Sequence, residues 1–238
     1  MWKKLVCAAT LLNVMVLVAA PAALIELPLD EGDFAKIADA SAGKNPVQVL
    51  NQEFLKWTPG PQGQALEFNN ADGKSLRGVV RVKMPATLDV TAGWTFSCVF
   101  KTGNDFIKKR IYPLMYFADG PSKKPGVFIF CSWNTIWVRC GKDGAHTDIR
   151  SKSSGESIKP DTWYRLVVTF DGKIVTVYQN GKVAASGEAL PQKPKTPQLK
   201  IGSTGDGYGY GWNGVIAQVK VFDRALTPEE VTALQQED

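Results

Sequence analysis

Trp163-Tyr-Arg-Leu-Val-Val-Thr-Phe170-Asp-Gly172-Lys-Ile-Val-Thr-Val-Tyr-Gln-Asn180-Gly181-Lys-Val-Ala-Ala185 is the stretch on which the fold turns. Leu166, Val168 and Phe170 alternate with Arg165, Val167 and Thr169, the two-residue period of a strand with one face on a core. Asp171-Gly172 and Asn180-Gly181 follow at hairpin spacing, and both dipeptides readily supply the positive φ angles of tight turns. The stretch predicts a three-stranded antiparallel meander.

The same period extends outward from it. Trp94, Phe96, Cys98 and Phe100 alternate with Thr95, Ser97 and Val99 over 94–101, and Gly126 to Cys140 predicts a hairpin turning near Ser132 to Thr135. Val215 to Phe222 is a late strand. Glycine and proline punctuate the chain every eight to twelve residues, as a sandwich of short strands requires. One helix is expected, at the end, where Thr227-Pro228-Glu229-Glu230 forms a capping box and Val231 and Leu234 give it an apolar side. The chain is therefore expected to be an all-β antiparallel sandwich with a short C-terminal helix.

The first residues carry an address. Met1-Trp-Lys3-Lys4 precedes an apolar run from Leu5 to Ala20, and Ala20-Pro21-Ala22 fits a small-x-small cleavage site. Residues 1–22 are expected to be a signal peptide, with cleavage after Ala22 and Ala23 as the near alternative, and 23–238 the mature domain. Thr10 and Asn13 interrupt the run, and no other stretch is long and apolar enough to span a bilayer. Cys98, Cys131 and Cys140 remain after processing, an odd number that leaves a free thiol or a bond to another chain. Cys98 alternates with Phe96 and Phe100, so a buried thiol is expected there. The inferred register sets Cys131 and Cys140 apart without settling whether they pair. Loss of Lys3 and Lys4 lowers the net charge from +5 to +3, too mild to argue for nucleic acid. Lys108-Lys109-Arg110 and Lys123-Lys124 read as solvated loop charges.

The order of motifs resembles a known family. Leu27-Pro-Leu-Asp30-Glu31-Gly32 with Asp39-Ala-Ser-Ala-Gly43, Gly63-Gln-Ala-Leu66-Glu-Phe68, Trp94 to Lys101, the 163–182 meander, Leu199-Lys-Ile201-Gly202, Trp212-Asn213-Gly214, Val219 to Phe222 and Arg224 to Glu230 together resemble the laminin G-like jelly rolls of the concanavalin A-like lectin and glucanase superfamily. The resemblance runs from Leu27 to Leu234. It implies two facing sheets with a concave face or rim loops that meet a ligand, and it implies no particular chemistry, because this fold hosts lectins, adhesion modules, hydrolases and lyases. Some relatives hold a structural calcium with an acidic pair in the last core strand. Asp30 and Glu31 match the early acidic positions, but Ala217 and Gln218 stand at the late ones, so no cofactor is expected, with a structural calcium as the minor alternative.

No Glu-x-Asp-x-x-Glu run aims carboxylates from one strand face into a groove. Asp119, Asp143, Asp171 and Asp206 each adjoin a glycine, as turns ask. His146, the single histidine, reads as a solvated residue of a Gly141–Asp148 loop. The chain is read as a non-enzyme. Its exposed aromatics suit stacking on sugar C–H faces. Tyr208-Gly-Tyr210-Gly-Trp212 is the most suggestive run, with Asp206 beside it, Trp133 at a hairpin tip and Trp137 facing away from Ile136 and Val138. Trp212 aligns with an aromatic that closes the core in this family. Tyr208 and Tyr210 either line a groove or fold back over the sandwich edge beside Trp212. Trp94 and Trp163 begin strands and are expected to cover the ends of the core.

The expected function is a secreted, non-catalytic carbohydrate-binding or adhesion module of a bacterial periplasm or cell surface, its partner a polysaccharide or glycan bound in a shallow aromatic groove and insensitive to salt. The alternatives are a protein–protein interaction domain of an envelope assembly and, behind it, a polysaccharide-degrading enzyme.

Overall fold

The computed structural model describes residues 21–70, 76–104, 111–120, 123–151, 157–205 and 209–235. The leader run 5–20, the cluster 108–110, Asp206 and Tyr208 lie outside the described residues. In chain order the described strands are β1 (Ile25–Leu27), β2 (Val47–Leu50), β3 (Leu55–Gly60), β4 (Gly63–Asn69), β5 (Val79–Lys83), β6 (Trp94–Thr102), β7 (Tyr112–Ala118) and β8 (Gly126–Ser132). They continue as β9 (Thr135–Lys142), β10 (Ala145–Arg150), β11 (Trp163–Phe170), β12 (Ile174–Gln179), β13 (Lys182–Glu188), β14 (Gln198–Ile201) and β15 (Asn213–Phe222), and helix α1 (Pro228–Gln235) closes the series. One sheet has the order β13-β12-β11-β6-β15-β4-β3, with β1 added on β15, and the other β10-β9-β8-β7-β14-β5-β2. All pairings are antiparallel. The jelly-roll sandwich expected from the sequence is the fold.

The core lies between the sheets. Phe96, Cys98 and Phe100 of β6, Leu166, Val168 and Phe170 of β11 and Ile216, Val219 and Val221 of β15 face Ile129 of β8, Val138 of β9, Leu199 and Ile201 of β14 and Val80 and Val82 of β5 across one cluster. The meander is β11–β13. Its second turn is the two-residue Asn180-Gly181 (φ 48° and 79°). The first is also a two-residue turn, set one residue later than Asp171-Gly172: Phe170 pairs with Val175 and Asp171 N–H donates to Ile174 C=O (3.2 Å), leaving Gly172-Lys173 at the tip, while the Asp171 carboxylate accepts the N–H groups of both Lys173 and Ile174 (2.9 and 2.7 Å). The 126–140 hairpin turns through Trp133-Asn134, both with positive φ. The capping box forms, with the Thr227 hydroxyl accepting from Glu230 N–H (3.3 Å) and Glu230 accepting from Thr227 N–H (2.9 Å). Leu226, Val231 and Leu234 then seat α1 on Val167 and Phe222 at the outer face of the eight-stranded sheet.

Two expectations need correction. His146 does not sit in a loop but in β10, opposite Gly141 of β9, and the turn is confined to Asp143-Gly144. Its Nδ1 is buried and its Nε2 lies 3.6 Å from Asp148. Trp163 does not cover the end of the core: it packs on Ala65, Val99, Val215 and Ala217 at the outer face of the eight-stranded sheet, beneath the Lys101 ammonium.

Cys98, Cys131 and Cys140 are all buried free thiols. Burial pushes Cys98 and Cys131 well above the ordinary thiol range and Cys140 up to about 12. Cys131 pairs across the hairpin with Ile136, and Cys140 with Val127. The two cysteines are offset by four strand positions, about 13 Å, too far for a disulfide.

Candidate functional site

The outward residues of the seven-stranded sheet form a register row that crosses the strands. Asp148 of β10 pairs with Arg139 of β9, Arg139 with Phe128 of β8, Phe128 with Tyr116 of β7, Tyr116 with Lys200 of β14, Lys200 with Arg81 of β5, and Arg81 with Gln48 of β2. Antiparallel partners on one face stand close enough for their side chains to touch, so charges and rings far apart in sequence meet here. Tyr116 and Phe128 meet edge to face at 5.2 Å, Phe130 lies tilted against Phe128 at 4.4 Å, and Trp137 stacks on Phe130 at 5.8 Å. Arg150 lies over Trp137, 5.1 Å from the ring centroid, and Lys200 over Tyr116 at 6.0 Å. Arg139 and Asp148 form a two-armed pair, each arm 2.7 Å. That bond, helped by Tyr210 nearby, raises the affinity of the guanidinium for its proton against the opposing effect of burial.

Tyr210 reaches this face from the loop between β14 and β15. The loop is pinned at its base. Trp212 N–H donates to Gly202 C=O (2.8 Å), Ser203 and Gly211 form an isolated bridge, Thr204 N–H donates to Tyr210 C=O (3.1 Å), and Tyr210 N–H donates to the Thr204 hydroxyl (3.1 Å). Gly209 has φ +90°, a conformation L side chains resist, and a Cβ at Gly211 would stand 2.5 Å from Arg77. Gly209 and Gly211 thus let the described return of the chain pass close to Thr204 and Arg77. The outcome separates two neighbouring rings. Trp212 is fully buried, edge-on to Phe100 (5.4 Å) and Tyr112 (6.5 Å), whereas Tyr210 is 42% exposed.

Tyr210 forms a wall of a cleft of about 330 Å³ whose lining includes Tyr116, Asp119, Gln198, Lys200 and Thr204. Asp119 accepts the backbone N–H groups of Lys195 and Thr196 (2.8 and 3.0 Å), which fixes that rim. Burial, with Asp119 alongside, pushes the Tyr116 hydroxyl well above its ordinary range, so it stays protonated and able to donate.

Of the residues singled out from sequence, the structure brings Tyr210 and Trp137 to one face. Trp133, 54% exposed at the β8–β9 turn, is set apart from the cleft's lining. Tyr116, Lys200 and Gln198 were missed. β7 is apolar on both faces, so periodicity does not mark Tyr116 as outward, and the meeting of Lys200 with it depends on pairing between distant strands.

Glycoside hydrolysis canonically uses two carboxylates flanking the scissile bond. Glu67 and Asp161 line one cavity of about 320 Å³ on the opposite sheet. Each is engaged by a lysine, Glu67 by Lys56 (3.2 Å) and Asp161 by Lys101 (2.8 Å). Ala217 and Gln218, which stand where the family resemblance implies an acidic pair for a structural calcium, line a cavity together with Asp30 and Arg165. A methyl and an amide replace the late carboxylates and a guanidinium shares the cavity, a donor set that does not fit calcium.

A search of curated protein sequences finds no match. Among solved structures, the binding domain of Paraclostridial Mosquitocidal Protein 1 superposes with TM-score 0.70 at 18% identity, covering 90% of this chain and 52% of that one. The binding domain of botulinum neurotoxin DC in complex with rat synaptotagmin II gives 0.68 at 14%, covering 90% and 51%, and the same domain in complex with SialylT gives 0.65 at 14%, covering 90% and 51%. The chain spans about half the length of these structures, and at such identities the likeness is one of fold. A family model described as the concanavalin A-like lectin/glucanases superfamily matches residues 76–232, most of the strands described above. The chain belongs to the concanavalin A-like lectin/glucanase superfamily, in its laminin G branch.

Proposed function

We propose that the chain is a non-catalytic carbohydrate-binding or adhesion module that holds a glycan in the Tyr210 cleft. The carrying observation is an exposed tyrosine on a pinned loop above a cleft lined by a second tyrosine and a lysine. A ring presented this way offers a stacking face to a sugar, and Gln198, Thr204 and Lys200 offer hydroxyl partners beside it. The fold's occurrence in toxin binding domains, one of them in complex with SialylT, supports a binding role.

Export to a bacterial periplasm or cell surface belongs to the same proposal. Ala23, the first residue expected after cleavage, already packs against the α1 cluster, and Leu24 N–H donates to Val221 C=O (2.7 Å), so the fold is engaged from the expected new N-terminus onward. The intact mass of the exported protein is expected to correspond to a chain beginning at Ala23; retention of Lys3 and Lys4 would contradict it.

Tyr210→Ala tests the site. Glycan affinity is expected to fall by roughly tenfold, about 1.4 kcal/mol. The melting temperature should move by no more than about 2 °C, because a half-exposed ring contributes little to the core. A drop of several degrees with binding retained would assign Tyr210 to packing instead.

A further inference from the structure

We propose that the glycan held on this face is acidic, a chain bearing uronate or sulfate groups; the proposal rests on the carbohydrate-binding reading above and names its ligand class. The Tyr210 cleft does not end at Gln198. A second cavity of about 190 Å³, lined by Pro46, Gln48, Arg81, Lys83, Pro197 and Gln198, adjoins it at that residue, and we read the two as one track along the sheet. One end of the track is aromatic, with Tyr116 and Tyr210. The other is cationic.

The register sets the spacing of that cationic end. Lys200 pairs with Arg81, and Gln198 with Lys83, across β14 and β5. Neighbouring strands lie about 4.8 Å apart, and alternate residues of one strand about 6.8 Å apart. Lys200, Arg81 and Lys83 therefore form a triangle on the scale of a single sugar residue, while the exposed ring of Tyr210 lines the adjoining cleft, with the buried Tyr116 beneath it. Arg81 Nε donates to the Gln48 amide oxygen (3.1 Å), and its Nη2 donates to the same oxygen, which orients the guanidinium in the track.

The charge balance favours an anion. Arg81, Lys83, Arg139, Arg150 and Lys200 point outward from the described strands of this sheet, against Asp148 as their acidic counterpart, and Asp148 is committed to Arg139 through both oxygens. Asp119 borders the Tyr210 end of the track and not the Arg81–Lys83 cavity. Arginine and lysine donate and do not accept. A carboxylate or sulfate, which only accepts, complements them better than a neutral hydroxyl and gains charge-assisted bonds. Binding of this class is weakened by salt, unlike the salt-insensitive binding expected from the sequence.

Calorimetric titration of the purified chain against matched pairs tests the inference: polygalacturonate with its methyl ester, and dextran sulfate with dextran, at low and high salt, alongside duplex DNA. The expected result is that one acidic member binds at least about tenfold more tightly than its uncharged partner at low salt, with the advantage reduced at high salt. Which pair shows it distinguishes carboxylate from sulfate. The double variant Arg81→Gln, Lys83→Gln is expected to abolish the difference with the melting temperature unchanged. Equal affinity for charged and uncharged members would overturn the inference and leave the carbohydrate reading standing. Binding to no glycan would overturn both, and tighter binding to DNA than to either acidic glycan would replace the inference with a nucleic-acid surface.

Discussion

Asp39→Ala is expected to destabilise the chain by about 3–5 kcal/mol, the scale of uncovering several buried donors at once. Asp39 is 2% exposed. Its carboxylate accepts the N–H groups of Glu26 (2.9 Å), Ser41 (2.9 Å) and Asn45 (2.8 Å), together with the Ser41 hydroxyl (2.8 Å) and the Asn45 amide (2.7 Å). Those bonds tie β1 to the loop that leads into β2. Burial alone would raise the Asp39 pKa, but the Glu26, Asn45 and Ser41 donors outweigh it and hold the carboxyl below its ordinary range. A depressed carboxylate stabilises the fold above its unfolded pKa, near 4, and that stabilisation is lost as pH falls through the lower folded value. Thermal unfolding should show a fall on the order of 10 °C for the variant at neutral pH. The gap to the parent chain should narrow in acid below about pH 4. A neutral-pH difference under about 1 kcal/mol would show that the loop has another anchor.

Trp212→Ala is expected to cost a similar amount, about 3–5 kcal/mol, through the cavity it leaves. The ring is fully buried against Phe100 and Tyr112, where the two sheets meet at the start of β15. The loss extends to the site. Trp212 N–H anchors the return of the Tyr210 loop to Gly202, so a collapsed Trp212 position would displace the wall of the cleft, and glycan affinity should fall along with stability. Urea unfolding at equilibrium separates this from the Tyr210 variant, which should change affinity at almost constant midpoint. Unchanged stability on removal of Trp212 would mean that the two neighbouring rings had been assigned the wrong way round.

The parts of the fold that were legible in sequence are those whose signals are local. The alternation in 163–170, Asn180-Gly181 and the Thr227–Glu230 capping box each act within a few residues, and each forms. His146 misled because Gly141, Asp143 and Gly144 all suggest a loop, yet Gly141 pairs in the sheet and a two-residue turn suffices. Trp163 misled because an aromatic at a strand start fits either face, and the small residues that receive it, Ala65 and Ala217, come from β4 and β15. For the site the limit is sharper. Lys200 and Arg81 sit on alternating strands, so their outward direction is readable, but their meeting with Tyr116 is set by pairing across β7, β14 and β5. Tyr210 could be found because its flanking glycines are local. Tyr116, hidden in a strand apolar on both faces, carried no such mark.

Hydroxyl-radical footprinting of the chain with a saturating bound glycan tests the location of the site most directly. The account predicts protection of Tyr210 and of the Lys200 and Arg81 strands on the seven-stranded sheet, with the opposite face unchanged. Protection centred on Trp163 and its neighbours Val99 and Val215, with Tyr210 as reactive as in the free chain, would contradict it.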